Sequence, residues 1–251
     1  HLATRGAPIP VGAGLERWGW LGLSGAVGFV AGDAMLFQAF VLVGPRLSML
    51  MMALAPVLGT LLGWIFLRET LTGLELAGIA LAVSGIALVV TDRPRNGNHE
   101  EQPRPERFAA GLLFGLGGAL GQASGLMFSK LGLAGDFPAL SGSMMRLIVA
   151  TTLIWTITLA QRQARPSVEA LRAHPRALLA IAGGAVFGPF LGVWLSLIAV
   201  QKAPIGIAST LMSLPPIILL PVGRVLFDER IGLRAVGGTV VAVAGSALLF
   251  L

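Results

Sequence analysis

The sequence has no cysteine and no tyrosine, and only 12% of its 251 residues are charged, about half the share of an ordinary soluble domain. Without cysteine there is no disulfide, no thiolate metal site and no thiol nucleophile. Histidine is nearly absent too: His1, His99 and His174 all fall in hydrophilic breaks, so they build no metal constellation, and no metal or other cofactor is expected. So few charges leave too little polar surface to cover a water-facing particle, which excludes a soluble globule. The net charge of +6 and pI near 11.4 would suggest nucleic acid in a soluble chain. Here the Lys and Arg residues sit almost wholly in short breaks between apolar runs, where they anchor spans at the membrane interface, and no nucleic-acid partner follows. No secretory signal peptide is legible, because the first apolar run begins near Trp18 and is too long for one.

What the chain does have is apolar length. Hydrophobic residues make up 55%, glycine adds 34 more positions, and mean hydropathy is +0.83. Eight runs are long enough to cross a bilayer: 19–43, 47–67, 74–91, 108–129, 137–160, 177–201, 203–223 and 235–251. In hydrocarbon each backbone N–H and C=O must be satisfied within its own segment or in a closed barrel. These runs lack the alternation of barrel strands, so they predict an all-α, polytopic membrane helix bundle. Glycines four apart (Gly28/Gly32, Gly59/Gly63, Gly117/Gly121/Gly125, Gly184/Gly188/Gly192) mark stripes where helix backbones approach closely. The stretch 92–106 reads as a polar linker. A short surface helix is expected at 167–173, and Thr72-Gly73-Leu74-Glu75 fits a capping box.

The chain also repeats itself. A shift of 160 residues aligns 21–91 with 181–251 without a gap, giving 14 identities in 71 positions. Pro56 falls on Pro216, Gly63 on Gly223, Glu69 on Glu229 and Gly78 on Gly238. The rarer Pro and Glu keep the same interval in both copies. Residues 107–180 hold two spans whose counterparts would precede the first residue. The economical reading is therefore two five-span units with eight of ten spans present: 1–91 as the last three spans of the first unit and 107–251 as the whole of the second. An odd number of spans per unit places the copies in opposite orientation, an inverted repeat with a substrate site near the midplane.

On these residues the sequence resembles a known family. The segments 53–90 and 213–251 look like the two signature segments of EamA-type proteins of the drug/metabolite transporter superfamily. Each has a Pro-bearing span, an exit ending in Leu67-Arg68-Glu69 or Phe227-Asp228-Glu229, and a Gly-rich closing span. The stretch 137–150, with Arg146, is similar to the family's span carrying a buried Arg shortly after a Pro. The resemblance implies a ten-span transporter of small metabolites, often working outward, in the cell membrane.

Ionisable groups at membrane depth cost about 2.5–3.5 kcal/mol on insertion scales, so each needs a reason. Asp33 and Arg146 lie near the middle of their spans, with Gln38 five residues beyond Asp33. They could face a wet cavity, Arg146 attracting an anionic group and Asp33 binding a cation or proton, or they could pair only to hold the bundle together. Gln122, Ser124, Trp194 and Ser196 are further candidates for that cavity. Pro56 and Pro216 each remove a helix hydrogen bond and could act as fixed kinks or as hinges. Glu69 and Glu229 sit at span ends, where a structural role beside a helix start is favoured. The function expected is a secondary transporter by alternating access, with a small-molecule substrate and the lipid bilayer as partners and a homodimer admitted. Its rivals are a non-transporting packing partner and, with no Cys and no His at depth, a poorly supplied intramembrane enzyme.

Overall fold

The computed structural model describes residues 10, 12–67, 72–91, 105–135, 137–202 and 233–248, and every regular element among them is helical. In chain order these are α1 (Leu15–Pro45), α2 (Leu47–Phe66), α3 (Gly73–Thr91), α4 (Pro105–Gly132), α5 (Ala139–Ala160), α6 (Ala164–Ala173), α7 (Pro175–Ile198) and α8 (Leu233–Leu248). Helices α1, α2, α4, α5 and α7 are long and apolar enough to cross a membrane, and α3 and α8 are shorter apolar helices. The chain is thus a multi-pass membrane helix bundle. The expected span 203–223 with Pro216, both Glu69 and Glu229, and nearly all of the linker lie outside the described residues.

Local chemistry sets the ends. Gly44, at φ 80° and ψ 163°, closes α1 in a conformation open to glycine, and the following Pro45 suits the restart of a helix. The Ser48 hydroxyl donates to the Gly44 carbonyl at 2.8 Å. The start of α3 is the expected capping box: Thr72 N–H donates to Glu75 Oε2 at 2.6 Å, and Glu75 N–H donates to Thr72 Oγ1 at 3.2 Å. The surface helix α6 begins at Ala164 rather than 167, because Pro166 is tolerated in a first turn whose N–H groups have no intrahelical partner.

Within the second span the helix is interrupted ahead of Pro56. Ala53 N–H and Leu54 N–H turn back to Leu50 and Met51 carbonyls at 3.0 Å each, a tighter turn, and the helix resumes at Ala55. Pro56 then occupies the first turn of the resumed helix. The hydroxyl of Ser246, from α8, donates to the Ala53 carbonyl at 3.0 Å, so the interruption is satisfied from another helix.

Helix packing follows the glycines. Gly28 and Gly32 of α1 cross Gly125 and Gly121 of α4, so that a Cβ on Gly121 would lie 2.6 Å from the Gly32 Cα. Residue numbers rise on α1 as they fall on α4, which makes the pair antiparallel. Ser24 adds interhelical hydrogen bonds, donating to the Gly125 carbonyl at 2.5 Å and sharing a 2.7 Å contact with Ser129 Oγ. Elsewhere the spacing is not matched by such contact: among the described residues a Cβ on Gly59, Gly184 or Gly188 would meet nothing within 4 Å. Four-residue spacing permits a close crossing without creating one; an opposing small residue is also required.

The internal repeat is visible in the coordinates. A π-helical stretch covers Ala26–Gly32 in α1 and Val186–Gly192 in α7, related by the same shift that aligns the sequences. Gly85 on α3 faces Ala242 and Gly238 on α8, while Gly245 on α8 faces Ala82 and Gly78 on α3. These contacts map onto one another when the copies are exchanged, the reciprocity a twofold axis produces. The two helices also run antiparallel, so equivalent spans point opposite ways, as in an inverted repeat.

Replacing Gly121 with Leu should therefore lower stability by about 1–3 kcal/mol, since backbone cannot move aside as a side chain would. Gly188→Leu should be close to neutral. Thermal unfolding of the purified variants in detergent tests this, and equal losses would contradict the packing described.

Candidate functional site

Among the described residues the buried charge is Arg146, 5% exposed, on α5. Glycines on α1 make room for it. Gly25 lies so close to the Arg146 carbonyl that any Cβ would overlap it, and a Cβ on Gly28 would sit 3.5 Å from a terminal guanidinium nitrogen. The guanidinium lies over the ring of Phe29, with Cζ 4.4 Å from the centroid. That ring face carries partial negative charge and attracts a cation by about 2 kcal/mol when water is excluded. A ring accepts no conventional hydrogen bond, however, and Arg146 Nε is buried with no hydrogen-bond partner.

Asp33 supplies the opposing charge. It is half-buried, and it and Arg146 act on each other electrostatically. They do not form a direct ion pair: the ion pair among the described residues is Arg165 to Glu169, exposed on α6. Asp33 follows the π-helical stretch that carries Phe29 and ends at Gly32. Such stretches are rare and occur disproportionately at functional sites. Here it supplies the ring that faces the cation, and Asp33 follows directly at its end.

Gln122 joins this level of the bundle. It directly follows Gly121, the partner of Gly32, as Asp33 directly follows Gly32. Gly118, Ala119 and Gly125, its neighbours on the same helix face, are all buried, yet Gln122 is exposed. Asp33, Gln122 and Arg146 therefore gather around the α1–α4 crossing.

Other candidates stand apart. Gln38 is exposed on the face of α1 that carries Ala34 and Val41, also exposed. Trp194 is half-buried against an apolar cluster formed by Leu21, Leu133, Ala139, Met145 and Leu197; its ring packs on Phe190 at 6.2 Å between centroids. Ser196 donates to the carbonyl of Gly192 at 2.7 Å, within its own helix. Ser124 is half-buried. Pro56 lies in α2 beside the interruption described above, away from the two charges. Phe29 was not singled out by sequence, although its position four residues before Asp33, on the same side of a helix, is the signal that would have found it.

A family model, the EamA-like transporter family, matches residues 2–91 and 109–251. No curated protein matches the sequence.

The absence of cysteine makes any introduced thiol unique. Gln122→Cys should react readily with a polar, membrane-impermeant maleimide, while Leu113→Cys, on the exposed apolar face of the same helix, should react at least about tenfold more slowly, since a thiolate forms poorly away from water. Mass spectrometry of the labelled protein gives the ratio; equal rates would remove Gln122 from a wet opening.

Proposed function

Because the chain belongs to the EamA-like transporter family, we propose that it is a secondary transporter that exports small, amino-acid-like or drug-like solutes across the plasma membrane by alternating access. The observation that carries the reading is Arg146: a buried guanidinium in an apolar span, opposite Asp33, with an Nε that has no hydrogen-bond partner among the described residues. Burial of an unsatisfied cation is costly. A solute carboxylate would accept hydrogen bonds from it, and such charge-assisted bonds are about twice as strong as neutral ones. The ammonium of a zwitterion would meet Asp33, and Gln122 offers both a donor and an acceptor amide. The π-helical stretch and the α1–α4 crossing hold these groups together on one side of the site.

In this reading residues 1–91 and 107–251 are the two repeat units, joined by 92–106, and substrate moves as one unit rocks against the other around the midplane. Pro56 and Pro216, at equivalent places in the two units, are the candidate hinges. Glu69 and Glu229 stay with the span ends as structural groups, and Gln38 and Trp194 are left outside the first contact with solute.

Purified protein in liposomes should release a labelled zwitterionic amino acid. Arg146→Ala should reduce that flux by roughly 10–100-fold, the loss of a hydrogen bond to a charged group, whereas Arg146→Lys should keep part of it. Unchanged flux in Arg146→Ala would remove this residue from transport and favour the alternative that the Arg146–Asp33 pair only packs the bundle.

A further inference from the structure

The face of α5 next to Arg146 carries a second feature that the transport reading does not use. A cavity of about 500 Å³ opens there, lined by Ser143, Met144, Leu147 and Thr151 of α5 and by Phe190 from the π-helical stretch of α7. Its size lies within the range of small-molecule sites, which are mostly apolar with a few placed polar groups. Arg146 turns the other way, towards Gly28 and Phe29 of α1.

Ser143 makes the cavity more than a packing gap. It is 2% exposed, and its hydroxyl is buried with no hydrogen-bond partner. A helical hydroxyl usually avoids this by donating to the carbonyl four residues earlier. On the same helix Thr152, Thr156 and Thr158 all do so, at 2.9, 2.7 and 2.8 Å. Ser143 does not. The lining around it is apolar, and at the other end Thr151 and Thr152 are exposed, which places Ser143 at the deep end and the mouth near the two threonines. Among the described residues no charged side chain lines the cavity, so a charged ligand would find nothing there to offset its desolvation.

We infer that this cavity is a binding site for an uncharged, apolar molecule bearing one hydrogen-bond acceptor, which takes the Ser143 hydroxyl at its deep end. A carbonyl on an aromatic or acyl body meets this description, and it can arrive from the membrane as a neutral lipid or from solution as a neutral solute. The site is distinct from the Arg146–Asp33 pair and does not rest on the transport reading, because binding here requires no flux.

Benzophenone is a suitable probe: it is apolar and uncharged, has one carbonyl acceptor, and on irradiation inserts into nearby C–H bonds, with Met144 within reach on the lining. The whole chain in phosphatidylcholine liposomes would be irradiated with it and the adducts mapped by peptide mass spectrometry. Adducts should concentrate on 140–152 and Phe190 rather than on the outward residues Leu113 and Phe187. Ser143→Ala should reduce them about fivefold, the weight of one neutral hydrogen bond, while leaving the thermal unfolding temperature unchanged or higher, since it deletes an unsatisfied group. Leu147→Trp, which fills the cavity, should abolish them. Competition by dioleoylglycerol would assign the site to lipid, and competition by acetophenone alone would assign it to dissolved solutes. Adducts spread evenly over outward-facing residues, or labelling that Ser143→Ala leaves intact, would overturn the inference.

Discussion

Backbone-to-backbone contact between glycines is the constraint on which the bundle depends. Lipid tails offer helices no hydrophobic reason to associate, so a tight crossing must come from dispersion, from hydrogen bonds and from the absence of side chains. At Gly28–Gly125 and Gly32–Gly121 all three coincide, with the Ser24–Ser129 pair one turn away. That crossing brings Asp33 and Gln122 to one level. On its other side the same run of small residues lets α5 come close enough for Arg146 to reach over Phe29. The charged pair exists because the helices that carry it can approach.

The second close crossing, α3 against α8, has a different job. It joins equivalent parts of the two repeat units, and its contacts are reciprocal: Gly85 meets Ala242 as Gly245 meets Ala82. The first crossing lacks such a mate among the described residues. Gly188 corresponds to Gly28, but among the described residues a Cβ there would touch nothing within 4 Å.

Much of this fold is legible from the chain alone, for physical reasons. A bilayer demands long apolar helices, so span positions follow from hydropathy, and the described helices fall on the expected runs. The capping box at Thr72–Glu75 is local chemistry and needs no tertiary context. The 160-residue repeat foretold equivalent elements; the π-helical stretches themselves were not legible, although they fall at equivalent positions. Which glycine stripes are engaged was not legible, because Gly59 and Gly184 have the same spacing as Gly28 and differ only in what faces them. The site was half legible for the same reason. Charge at depth identified Asp33 and Arg146, whereas Phe29 and Ser143 are ordinary residue types whose significance lies in a ring placed under a cation and a hydroxyl left without an acceptor. Trp194 drew notice as a large aromatic, yet it packs among aliphatic side chains.

The bond from Ser246 to the Ala53 carbonyl also governs which surfaces are free to slip. It ties α8 to the interruption in α2. Slippage between α8 and α2 would strand a bare carbonyl in hydrocarbon, where no water is at hand to replace the lost donor. This seam is therefore held by solvation as well as by shape.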